Sequence, residues 1–219
     1  MATPVKRGRP PEEGLAERRR EEILRAAAEL FAANGFACTD LQDVADRLGV
    51  GKGTLYRYFP TKQALFQAAV DRALQGMRRS IDEAIATVSD PIDRIAAAIT
   101  AYLTHFDRHP EAVELLIQDR AQDPERTAPT YFQHRAANQG IWHSIYRDLI
   151  AQGQVRDIPV ERITDTIGSL VYGTMFTNYF AGRRKPVPEQ AGDILDVVFN
   201  GLLTPQGQER RRASAGEKR

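Results

Sequence analysis

Lys52, Thr54, Tyr56, Arg57, Tyr58 and Lys62 crowd into one short stretch of the chain. Their side chains offer an ammonium, a guanidinium, a hydroxyl and phenols. These groups donate hydrogen bonds to phosphate oxygens and base edges, and the rings add flat apolar surface. A short helix that is small, basic and aromatic on one side suits the major groove of DNA. Charge is distributed to match. Residues 1–80 hold 14 Lys/Arg against 10 Asp/Glu, residues 81–205 hold 11 against 17, and residues 206–219 hold 5 against 2. The net charge of +1 therefore conceals a positive N-terminal part that meets a polyanion and an acidic remainder that does not.

Other chemistry finds little support. His105 and His109 are four apart, the spacing of a metal pair on one helical face. Pro110 adjoins the second, and no Cys or carboxylate completes a zinc spacing. His134 and His143 have no triad-like surroundings, and there is no Gly-rich phosphate loop, GxSxG or CxxC. Asp82, Glu83 and Glu161 read as solvated helix residues. The chain is expected to have no catalytic residue, no metal and no cofactor. Cys38 is the single cysteine, so no internal disulfide forms. The first residues lack an apolar core of the signal-peptide kind, and no run of 18 apolar residues exists. A cytoplasmic protein that does not enter membranes is the expectation.

Two elements must position the basic stretch. Asp40 is an N-cap, with Asp43 three residues on in the manner of a capping box. Leu41, Val44, Ala45 and Leu48 make the apolar stripe of a helix of about two turns. Ala45 leaves room for a close crossing. Gly49 ends the helix at a positive φ and Val50 fills the turn. The next helix runs from about Lys52 to Tyr58, with Leu55 and Phe59 inward, Lys52, Thr54, Arg57 and Tyr58 outward, and Tyr56 at the margin. Pro60 stops it and Thr61 caps a third.

This segment resembles the helix-turn-helix of TetR-family transcriptional regulators. The matching residues are Gly35-Phe36, Asp43-Val44-Ala45, Leu48-Gly49-Val50, Lys52-Gly53-Thr54-Leu55-Tyr56, Tyr58-Phe59, Lys62 and Leu65-Phe66. The likeness extends back through a first helix over 17–34. Asp40 and Gly51 depart from the pattern, where the family usually has Ser or Thr and Ser. The resemblance implies that Lys52, Gly53, Thr54, Tyr56, Arg57 and Tyr58 face the major groove. Arg57 is placed to read guanine, and Tyr56 and Tyr58 to meet phosphate or a thymine methyl. Lys62, together with Leu41 and Gln42 at the start of the preceding helix, is placed at the DNA backbone.

The rest reads as helix throughout, without strand alternation. Breaks fall at Ser89-Asp90-Pro91, His109-Pro110, 123–129, Gly153, Pro159 and 182–186, giving nine helices and an all-α fold. The expected division is a disordered basic arm at 1–14, a DNA-binding domain at 15–64, a ligand-binding and dimerisation domain at 65–204, and a disordered basic tail at 205–219. In the arm, Arg7-Gly8-Arg9-Pro10 resembles an AT-hook. Either Arg7 and Arg9 enter a minor groove or the arm touches phosphates without sequence preference.

Ile163, Ile167, Leu170, Val171 and Thr174 recur on one helical face, as do Ile194, Val197, Val198 and Leu202. Such faces pack either within one chain or between two. The resemblance implies a homodimer formed by these last two helices, whose paired reading helices contact a pseudo-palindromic operator. Aromatics concentrate in the body, and ligand pockets favour apolar walls with a few polar groups. The resemblance implies that Phe106, Trp142, Tyr146 and Phe176, with Gln118, line the site of a small, largely apolar effector. The implied function is a ligand-responsive regulator, a repressor released by its effector. The alternative is a DNA-binding or architectural protein without a ligand.

Overall fold

A computed structural model describes residues 14–122, 128–182 and 185–201. Among these residues the chain is all helix: α1 (Leu15–Asn34), α2 (Leu41–Leu48), α3 (Lys52–Tyr58), α4 (Lys62–Ile85), α5 (Pro91–Arg108), α6 (Pro110–Gln122), α7 (Thr130–Ala151), α8 (Val160–Ala181) and α9 (Val187–Asn200). The expected breaks hold. Asp90 Oδ1 accepts from the N–H groups of Ile92 and Asp93 and so starts α5. The expected arm, the tail, Arg7, Arg9 and Leu202 lie outside the described residues. No helix among the described residues is long and apolar enough to cross a membrane.

The chain divides into two compact units, and the cut passes through α4 between Gly76 and Met77. The first unit spans residues 1–76 and 109–136. Here α1 packs on both α2 and α6, and α2 on α3. Ile23, Leu24, Ala27 and Phe31 are spaced to make one face of α1, and all are buried. They meet a core that includes Val44, Ala45, Leu55, Leu65, Phe66, Val70 and Val113, each at or near zero exposure. Phe31 and Phe66 pack edge to face with centroids 5.2 Å apart, and Phe36 closes on Phe66 at 5.1 Å. Farther along the unit, Asp119 is buried and accepts the Thr130 N–H at 3.0 Å, which caps α7. The Thr130 hydroxyl accepts from Gln67 Nε2 at 2.7 Å.

The second unit spans residues 77–108 and 137–219. In it α5 packs on α8 and on α9. Ile95, Ile99, Tyr102, Leu103 and Phe106 from α5 are buried, with Ile145, Tyr146 and Leu149 from α7 and Met175 from α8. The Tyr102 hydroxyl donates to Met175 Sδ at 3.6 Å. Asn178 of α8 and Gln190 of α9 exchange two amide hydrogen bonds of 2.9 Å, which fixes the register of these helices.

Candidate nucleic-acid interface

The geometry begins at the cap of α2. Asp40 Oδ1 accepts the Gln42 N–H at 2.7 Å, and Asp43 Oδ2 accepts the Asp40 N–H at 3.2 Å. These bonds close the capping box and satisfy donors that the helix start leaves open. At the other end Gly49 has φ 65 and ψ 33. Its N–H reaches the Asp46 carbonyl at 3.1 Å, and the Val50 N–H reaches the Ala45 carbonyl at 3.0 Å. This is a Schellman motif, and its left-handed residue suits glycine. It turns the chain sharply enough for α3 to cross α2 over the fully buried Ala45.

Leu55 and Phe59 anchor α3 in the core. Everything else on that helix faces outward to some degree. Gly53, Tyr56 and Arg57 are exposed, while Lys52, Thr54 and Tyr58 are half-buried. Tyr56 sits at 46% exposure, so it is a full member of the outward face rather than a marginal one. Tyr58 lies flatter, under the Arg57 guanidinium at 5.4 Å from its ring centroid. Gly51 starts α3 without a side-chain cap, as a residue lacking a hydroxyl must.

The cations of this face are already engaged. Lys52 Nζ donates to Asp40 Oδ1 at 2.8 Å. The hydrogen bond from Lys52, and then that from the Gln42 N–H, holds the Asp40 carboxyl below its usual value, and the same pair raises Lys52. Lys62, the first residue of α4, donates to the Ala37 carbonyl at 3.0 Å and lies 4.7 Å from the Phe36 ring centroid. Thr61 Oγ1 accepts the Ala64 N–H at 3.0 Å and caps that helix. Arg47 pairs with Glu29, and Arg20 lies over the Phe59 ring. Sequence reading missed the Asp40–Lys52 pair, although an Asp in place of Ser or Thr at the α2 cap was its signal. It also missed Arg47 and Arg20, whose partners are remote in sequence.

One expected contact needs correcting. Leu41 is 3% exposed and its side chain belongs to the core. Gln42 is exposed, with its Nε2 bonded to Asp46 Oδ1 at 2.6 Å.

The residues named for an effector divide. Phe106 and Tyr146 are buried and Trp142 and Phe176 half-buried, all in the second unit. Phe106 packs on Tyr102 at 5.0 Å, and Phe176 on Tyr172 at 4.8 Å. Burial raises the phenol pKa of Tyr146 and of Tyr172. Gln118 belongs to the first unit, where its Nε2 donates to the Phe31 carbonyl at 2.9 Å and to Glu114 at 3.0 Å. Its Oε1 is buried without a hydrogen-bond partner. A cavity of about 470 Å3 opens at the α7–α8 turn, lined by Arg147, Ile150, Ala151, Asp157, Ile158, Pro159 and Val160, and none of the five residues borders it.

The faces named for dimerisation also divide. Val171 and Ile194 are buried within the single chain, because α8 and α9 both pack on α5. In the single chain they belong to the core. Leu170 and Val197 are exposed, and Ile163, Ile167, Thr174 and Val198 are half-buried. Phe180, at 69% exposure, and Phe199 are exposed aromatics that the periodic reading passed over. Among the described residues no group of three or more His, Cys, Asp or Glu is arranged to hold a metal. His105 bonds Ser80 at 3.0 Å and His109 bonds Glu111 at 2.9 Å.

Residues 23–69 match the family model of bacterial regulatory proteins, tetR family. The HTH-type transcriptional activator FasR of Mycolicibacterium smegmatis is 27% identical over 133 residues, which cover 60% of this chain and 61% of FasR, less than two thirds of its length. The HTH-type transcriptional repressor KstR2 of Mycobacterium tuberculosis is 26% identical over 197 residues, covering 89% of this chain and 97% of KstR2. In fold, the chain is similar to the transcriptional regulator FadR of Bacillus subtilis in complex with stearoyl-CoA. The TM-score is 0.66 at 19% identity, over 84% of this chain and 99% of that one.

Proposed function

The chain belongs to the TetR family of transcriptional regulators, and on that premise we propose that it is a homodimeric repressor that binds a pseudo-palindromic operator and is released by a small, largely apolar effector. The observation that carries the reading is the outward face of α3. Tyr56 and Arg57 project from a helix held by Leu55, Phe59 and the Gly49 turn. Lys52, Gly53, Thr54 and Tyr58 complete the major-groove surface. Lys62, Gln42 and the Leu41 backbone hold phosphates at helix starts. Residues 15–64 serve as the DNA-binding domain and 65–204 as the domain for effector and dimer. The 1–14 arm adds a further DNA contact, either through Arg7 and Arg9 in the minor groove or through phosphates without sequence preference.

One α3 reads few base pairs. Two, placed roughly 34–36 Å apart by dimerisation, read two half-sites. Leu170, Val197 and Phe199 supply an exposed apolar surface for that dimer, with Ile163, Ile167, Thr174 and Val198 at its margin. Phe106, Trp142, Tyr146 and Phe176 line the effector site. The FadR structure holds stearoyl-CoA, whose acyl chain is apolar although its CoA part is charged, so acyl-CoA thioesters are effectors to test beside small apolar compounds. Effector and DNA act by linkage: each lowers the affinity of the other by the same factor.

The test is selection of genomic fragments with the purified full-length protein, followed by titration of the recovered duplex with and without acyl-CoA thioesters. A palindromic consensus and loss of binding with one thioester support the reading. Capture of fragments without a shared sequence supports an architectural protein instead. Unchanged operator affinity with every thioester removes that effector class.

A further inference from the structure

Asp40 Oδ1 accepts two hydrogen bonds, from the Gln42 N–H at 2.7 Å and from Lys52 Nζ at 2.8 Å. One donor is a main-chain N–H at the start of α2 and the other an ammonium in the first turn of α3. A helix-start N–H with a nearby cation is a donor pair that holds a phosphate oxygen. We infer that Asp40 is an internal stand-in for a DNA phosphate, which engages Lys52 in the unbound protein and lowers the affinity of this face for DNA of any sequence. The inference rests on the DNA-binding reading above.

Three features of the pair fit this role. Both side chains are substantially exposed, at 38% for Lys52 and 62% for Asp40, so the contact opens without unpacking the core. An exposed pair of this kind holds weakly, and a phosphate competes with it directly. Asp43, whose Oδ2 accepts the Asp40 N–H at 3.2 Å, adds a second carboxylate whose charge also acts on Lys52. Holding background affinity down matters for a switch. Coupling between sites spans roughly 5- to 150-fold, so an effector clears the DNA only where the regulator's concentration exceeds its dissociation constant by less than about that factor.

The test separates charge from capping. Asn and Ser at position 40 still accept the Gln42 N–H but carry no charge. Wild type, D40N, D40S, K52M and D40N/K52M, as full-length proteins, are titrated by fluorescence anisotropy against a mixed-sequence duplex and the recovered operator. Salt is varied from about 50 to 200 mM. D40N and D40S should bind both duplexes more tightly at low salt, by a similar factor, because a phosphate contact carries no sequence information. Their salt slope should steepen by about 0.9, so the fourfold rise in salt costs roughly 3.5-fold more affinity than in wild type. D40N/K52M should lose that extra slope, and K52M should change the slope less in the wild-type background than in D40N. Equal or shallower slopes in folded D40N and D40S, with circular dichroism and melting as in wild type, overturn the role of Asp40 alone. A wild type that binds neither duplex overturns the DNA-binding reading, and this one with it.

Discussion

On the proposed function, Arg57 is the side chain on which base reading most depends. It is exposed on α3 and its plane lies over Tyr58, an arrangement that presets the guanidinium without burying it. A bidentate contact to guanine contributes about 1–3 kcal/mol of discrimination. R57A is therefore expected to cost about that much on the operator and to relax preference at one base position per half-site, read by binding to a set of single-position operator variants. A uniform loss on every variant would make Arg57 a phosphate contact. Tyr146 makes a prediction of a different kind. Burial raises its phenol pKa in the folded state, so the folded protein holds the proton more firmly than the unfolded chain does. The associated stability is intact below the unfolded value of about 10 and is lost as pH rises above it. Denaturant melts of Y146F should thus fall less steeply than wild type between about pH 9 and 11, and an identical fall would remove the assignment.

At the scale of the element, the turn between α2 and α3 decides where the reading side chains point. Gly49 at φ 65 carries the Schellman bonds, and no atom lies within 4 Å of an added Cβ, so the cost of replacing it is backbone strain and not collision. G49A should lose about 1–2 kcal/mol of stability, and G49V more, since a β-branched residue tolerates positive φ worst. Urea unfolding measures the loss. A G49A variant as stable as wild type would mean that the turn relaxes. Leu55 is the inward anchor of the same helix, with zero exposure. L55A should cost roughly 2–5 kcal/mol by leaving a cavity, with operator binding falling in step because α3 loses its seat.

At the scale of the molecule, Val197 and Phe199 leave exposed apolar surface near the end of α9, and Leu170 and Phe180 leave more on α8. Surface of that kind marks an interface when it is contiguous. V197E/F199E should weaken self-association by more than about tenfold, equivalent to about 1.4 kcal/mol. Sedimentation should show a shift toward monomer at concentrations where wild type is a dimer. Operator affinity should fall although every α3 contact is intact. A variant that stays dimeric moves the interface elsewhere. The cut between the two compact units falls inside α4, so that helix contributes residues to both.

The sequence by itself determined the helices, their caps and the reading face. Capping, apolar period and helix breakers act within a few residues, so Asp40, Gly49, Pro60, Asp90 and Pro110 state their roles locally. Residue type at a fixed helical position likewise settles which side chains of α3 face outward once Leu55 and Phe59 face in. Tertiary structure decided everything that depends on a partner distant in sequence. Only folding showed that α6 returns to pack on α1, that Val171 and Ile194 are buried in the single chain, and that Gln118 bonds the Phe31 carbonyl. An amphipathic helix shows an apolar stripe but not what covers it, so periodicity marked the apolar faces of α8 and α9 without telling that Val171 and Ile194 are covered within the chain while Leu170 and Val197 are exposed. Lys52 belongs to both accounts. Its place on the outward face is local, while its 2.8 Å bond to Asp40 exists because the Gly49 turn brings the starts of α2 and α3 near one another.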